Sequence, residues 1–115
     1  MDQITMDFAR AQRDAGMARS LASAERATNG WGDIAYAFLL VYARTHPAFI
    51  SEDVSDASKT RERFPQPGTD RAWGSVYRRA VREGVIVQDG AGRSRRRHAS
   101  ICPRWRSLIY AGDAA

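Results

Sequence analysis

The sequence predicts a mostly helical α+β domain closed by a small β-hairpin, and three observations carry that expectation. Apolar residues recur at three- and four-residue spacings from Ile4 to Val81. After Gly84 the pattern turns to short β-branched runs around a turn-rich, arginine-loaded stretch. The length of 115 residues suits one hydrophobic core rather than two. Within it, residues 1–30 read as an amphipathic helix packing on the core or on a dimer partner, and residues 31–115 as the main domain.

Ile4, Phe8, Ala11, Ala15, Ala18 and Ala22, with Leu21 beside them, form a narrow helical stripe; Thr5 is its expected N-cap and Asn29-Gly30 its stop. Trp31 to Thr45 is apolar all round, as a central buried helix would be, and ends where His46 precedes Pro47. Ala48-Phe49-Ile50 is long enough for one short strand. Ser51 is the expected cap of a short helix with Glu52 and Asp53 in its first turn and Val54 and Ala57 buried. Phe64-Pro-Gln-Pro-Gly68 breaks the chain. Thr69 caps the next helix, which runs to about Glu83 and buries Ala72, Trp73, Val76, Tyr77, Ala80 and Val81. Val85–Gln88 and His98–Cys102 then read as the strands of a hairpin, with Asp89–Gly92 in its loop and Pro103 ending it. Trp105, Leu108, Ile109 and Tyr110 are expected to fold back as a closing segment.

Composition narrows the function. The apolar share of 43% and charged share of 27% are those of a globular protein. No apolar run approaches the roughly 18 residues of a membrane span, and Met1-Asp2-Gln3 opens neither a basic n-region nor an apolar h-region. A cytoplasmic protein with no membrane partner is the expectation. The single Cys102 excludes an internal disulfide and a one-chain cysteine zinc site. Charge is unevenly divided: residues 1–58 carry five arginines against eight acids, residues 59–115 thirteen Lys/Arg against five, leaving +8 on the second part and +5 overall.

The order helix (Trp31–Thr45), strand, helix opening at Ser51-Glu-Asp-Val, helix (Thr69–Gly84) and hairpin (Val85–Cys102) resembles the winged helix-turn-helix family. The connection over residues 59–68 is longer and more proline-rich than a tight helix-turn-helix turn. Arg71-Ala-Trp-Gly followed by Arg82-Glu-Gly-Val-Ile is also similar to a small family associated with phages and prophages, in which an amphipathic helix precedes a winged helix. The resemblance implies a third helix in the major groove of duplex DNA and a wing on adjacent backbone.

The residues support this separately. Arg71, Ser75, Arg78 and Arg82 fall at spacings of four, three and four on one polar stripe, with Arg79 beside it and Thr69 at its start. Gly74 in mid-helix costs about 1 kcal/mol relative to alanine, so it invites close approach of a helix or of DNA. Arg93, Arg95, Arg96, Arg97 and His98 crowd the wing about 89–98, where nothing local neutralises them and a polyanion would relieve their repulsion. Against this, an arginine stripe is also what a solvated helix face presents, and a basic loop need have no partner.

His46 and His98 lie in unlike contexts with no carboxylate or thiol at ligand spacing, so no metal site and no cofactor is expected. Cys102 reads as a small, partly buried hydrophobe. Glu52 and Asp53 complement a helix dipole more simply than they would serve a nuclease with Asp56, and no nucleophile with an adjacent base or glycine-rich phosphate loop occurs. Trp31, Trp73 and Trp105 are expected in the core rather than as stacking platforms. The expectation is a non-enzymatic bacterial or phage DNA-binding protein acting in transcription regulation or phage replication, with a homodimer as an option. The alternative is a protein-interaction module, such as a phage-encoded inhibitor, whose basic surface meets an acidic partner protein.

Overall fold

The computed structural model describes residues 3–95 and 100–112, with side chains from residue 11 onward. It is an α+β arrangement of four α-helices and a three-stranded antiparallel sheet. Helix α1 covers Gln3–Ala27, so Thr5 lies inside the helix rather than at its cap. The Glu25 carboxylate accepts the N–H groups of Gly30 and Gly32, each at 2.9 Å, and so supplies the anion that the start of α2 (Trp31–Thr45) favours. Gly30 turns the chain between the two helices at φ +77°, a conformation that glycine adopts without a Cβ penalty.

Helix α2 has the expected bounds and ends at His46, held extended before Pro47. Its burial is one-sided, however. Trp31, Ala35, Tyr36, Leu39 and Ala43 face the core, whereas Ile34 and Val41 are 39% and 56% exposed. An all-apolar sequence thus dresses a half-solvated helix. Strand β1 (Ala48–Ile50) follows, then α3 (Ser51–Lys59). The capping residue is Ile50, one before the expected Ser51. The Ile50 N–H donates to Asp53 Oδ2 at 2.9 Å, and the Ser51 hydroxyl instead accepts from Trp105 Nε1 at 3.2 Å. Val54 is buried, but Ala57 only half so; Ser55 and Ser58 complete the inward face, with Ser58 donating to Ser55 O at 2.7 Å.

The proline-rich connection is a packed segment. The Pro65 carbonyl accepts Trp31 Nε1 at 2.8 Å, and Phe64 stacks on Trp73 and meets Phe38 edge-on. Thr69 caps as expected, its hydroxyl oxygen accepting the Arg71 N–H at 3.3 Å. A 3₁₀ turn (Asp70–Ala72) leads into α4 (Trp73–Arg82), which presents Trp73, Val76, Tyr77 and Ala80 to the core while Val81 is 45% exposed. Trp31, Leu39, Val54, Trp73 and Ile86 are fully enclosed at the centre.

The hairpin departs from its expected bounds. β2 spans Ile86–Arg93, so Asp89–Gly92 is strand, irregular between Gln88 and Ala91, where Gly90 takes φ +78°. β3 spans Ile101–Ser107 and passes through Pro103. The strand order is β1-β3-β2, and β1 reaches only from Ile50↔Arg104 to Ala48↔Arg106, so Pro103 pairs with β2 alone and its missing N–H interrupts no second ladder. Trp105 is consequently mid-strand, opposite Phe49 and Gln88, and stacks on Tyr77 at 5.7 Å. Ser107 donates its hydroxyl to Ala43 O at 2.6 Å, and Ile109 packs on the core beyond it.

Candidate nucleic-acid interface

The expected site residues fall into three settings. Arg71 and Arg82 are exposed, and neither forms an ion pair among the described residues. Arg71 stands on the wall of a cavity of about 320 Å³ between α3, the 3₁₀ turn and the hairpin, which Glu52, Trp73 and Cys102 also line. Thr69 is exposed, with its oxygen already used as a cap. Arg93 lies at the end of β2, opposite Ile101.

The middle of the stripe is covered by α1. Ser75 is half-buried and donates its hydroxyl to Met17 O at 3.4 Å. Arg78 pairs with Asp14 at 2.9 Å. A Cβ built on Gly74 would collide with Met17 Sδ, so the close approach that this glycine permits is that of α1. Helix α1 also lies along the 3₁₀ turn and touches α2. The face it uses is not the alanine stripe of the sequence. Ala11, Ala15, Ala18 and Ala22 are exposed, whereas Asp14, Met17, Leu21 and Ala24 turn inward; Ile4 and Phe8 lie outside the described side chains. Those four inward positions also keep helical spacing. They outweigh the alanines because methionine and leucine remove more apolar surface from water.

Arg79 belongs to neither group. It reaches Asp33 at 2.9 Å and Glu83 at 3.0 Å and lies 4.0 Å over the Tyr36 ring. Hydrogen bonding to Asp33, then Glu83, raises its pKa further, while the Tyr36 hydroxyl and Arg79 together hold the Glu83 carboxyl below its usual range.

For Arg95 the expectation that nothing local neutralises the hairpin's arginines is corrected. The Arg95 guanidinium bridges Asp53 and Asp56, each at 2.8 Å, and the Arg95 backbone N–H donates to Glu52 Oε1 at 3.0 Å. Ser94 donates its hydroxyl to Glu52 as well. The acids of α3, of which Glu52 and Asp53 read from sequence as dipole partners, thus also clamp the end of the hairpin, and the hydrogen bond that Arg95 donates to Asp53 raises the Arg95 pKa. Arg96, Arg97 and His98 lie outside the described residues. Asp14, Met17 and the α3 carboxylates are the site residues that sequence reasoning missed.

Among the described residues no cluster of His, Cys, Asp or Glu could hold a metal ion, and no helix is long and apolar enough to cross a membrane. His46 instead stacks on Tyr42 with ring centres 3.8 Å apart. Compared with known proteins, the chain matches no family model, and no curated protein or solved structure is significantly similar to it.

Proposed function

We propose that the chain is a winged helix-turn-helix protein that binds duplex DNA without catalysing a reaction, in transcription regulation or phage replication in a bacterial or phage-infected cytoplasm. The observation that carries this reading is the strand order β1-β3-β2 packed with α3 and α4, with Arg95 beyond the end of β2 paired to α3. In that arrangement α4 would be the groove helix and the hairpin, about residues 89–98, the wing. Arg71 and Arg82 flank the α4 stripe as cations with no ion pair among the described residues, and phosphate contacts from such groups position a protein on DNA. Anisotropy of a labelled random duplex across a salt series tests it: log K should fall by about 0.9 per neutralised phosphate for each unit of log salt. Absence of binding at low salt would exclude it.

A second reading has one specific observation in its favour. The outward face of α4 accepts a helix here, α1, through Met17 and Asp14. A partner protein offering an acidic helix would use the same chemistry, which is the protein-interaction alternative.

A further inference from the structure

We infer that α1 is a displaceable cover over α4, so that duplex DNA and the chain's own N-terminal helix compete for one face; this rests on the DNA-binding reading and names its regulation. The core takes Trp73, Val76, Tyr77 and Ala80, so the opposite face of α4 carries Gly74, Ser75, Arg78 and Arg82. Three of these four are occupied by α1: Gly74 by the Met17 side chain, Ser75 by the Met17 carbonyl and Arg78 by Asp14. Asp14 holds the Arg78 guanidinium as a phosphate oxygen would. Size makes the competition strict. A helix with its side chains is about 10–12 Å across, and the major groove is about 12 Å wide, so α4 enters alone or not at all.

The cover is built to lift. Among its described side chains only Ala24 is buried, Met17 and Leu21 are half-buried, and the Asp14–Arg78 pair is 39% and 55% exposed. Its firm attachment is at the other end, where Glu25 caps α2 beside the Gly30 turn. Few buried apolar side chains between residues 11 and 23 and an anchored turn beyond them describe a segment that opens locally without global unfolding. If the covered form outnumbers the open one by about ten to one, the apparent Kd for DNA is raised about tenfold.

A reversible lock tests this in the full chain. The ideal Cβ at Gly74 lies 3.9 Å from Met17 Cβ, within the span that a disulfide bridges. The variant Met17→Cys/Gly74→Cys, made with Cys102→Ser to remove the native thiol, can be oxidised to hold α1 down and reduced to free it. With a random duplex of about 25 base pairs, the oxidised form should bind at least about tenfold more weakly than the reduced form, and reductant should restore binding. Met17→Ser, which loosens the cover without changing charge, should bind severalfold more tightly than the parent. Equal affinity of oxidised and reduced forms, with the cross-link verified by mass, would overturn the inference while leaving DNA binding intact. If the triple variant does not fold or cross-link, Met17→Ser decides, and an affinity equal to the parent overturns the inference. No binding by the parent, the reduced form or Met17→Ser at low salt would remove the DNA reading itself, and this inference with it.

Discussion

Replacing Arg71 and Arg79 by alanine, one at a time, separates a cation available to DNA from one already in use. The two stand eight residues apart and are identical in chemistry, so net charge changes equally. Their surroundings differ. Arg71 is exposed with no ion pair among the described residues, whereas Arg79 is held by Asp33 at 2.9 Å, Glu83 at 3.0 Å and the Tyr36 ring at 4.0 Å. To neutralise a phosphate Arg79 would have to leave two carboxylates and a ring, which cancels most of the gain. One phosphate contact is worth about 0.9 in the slope of log K against log salt. Arg71→Ala should therefore flatten the slope by about 0.9, so that the affinity lost between about 50 and 200 mM salt shrinks by about 3.5-fold. Arg79→Ala should leave the slope unchanged and lower the melting temperature instead, through the lost bridge between α2 and α4. Anisotropy over a salt series reads the first quantity and thermal unfolding the second. An Arg79→Ala slope change equal to that of Arg71→Ala would refute this division of the arginines.

Other elements give further outcomes. Glu25→Ala strips the acceptor from the Gly30 and Gly32 N–H groups and should cost about 1–3 kcal/mol in urea unfolding, with Glu25→Gln losing about half as much; a cost under about 0.5 kcal/mol would mean that the cap is idle. Burial pushes the Tyr77 hydroxyl, which donates to Ser51 O at 3.1 Å, well above its ordinary 10.0. Its folded pKa is thus the higher one, so its neutral form contributes stability that is intact below pH 10 and lost as pH rises beyond it. Tyr77→Phe should cost about 1 kcal/mol at neutral pH and flatten the alkaline loss of stability; an unchanged alkaline limb would show that Tyr77 does not set it. Asp53→Asn/Asp56→Asn frees the Arg95 guanidinium from both its carboxylates, so duplex binding should tighten and its salt slope should steepen by up to about 0.9. An unchanged slope would place Arg95 outside the DNA contact.

What the sequence made legible was local. The bounds of α2 follow from an apolar run closed by Pro47, the Thr69 cap from its place before Asp70, and β1 from three apolar residues between a proline and a serine. Pairings across the fold were not legible, since no periodicity records them. Pro103 looked like a strand end because its sequence neighbours cannot show that β1 stops one residue short of it. Four positions of the α1 stripe, Ala11, Ala15, Ala18 and Ala22, were misassigned inward because their helical spacing hides Met17, which has more surface to bury beside Leu21. Gly74 was the partial exception: its cost in mid-helix announced a close neighbour, but not which one.

The division of charge along the chain has a different meaning once the chain is folded. Asp14 meets Arg78, Asp33 meets Arg79, and Asp53 and Asp56 meet Arg95, so acids of the first half neutralise arginines of the second across three separate seams. An ion pair is a short dipole whose field fades within the roughly 8–10 Å that salt screens, whereas an unpaired cation keeps its full attraction. The block of +8 in residues 59–115 therefore overstates the positive surface that a polyanion meets. The attraction concentrates on positions such as Arg71, Arg82 and Arg104, which form no ion pair among the described residues. On the DNA-binding reading proposed above, the paired arginines are a reserve: displacing α1 would free Arg78 and breaking the α3 clamp would free Arg95, so each opening would add one cation to the surface offered to DNA. Affinity and opening are coupled by the same ion pairs, and a salt slope steeper than the unpaired arginines supply is the signature of that coupling.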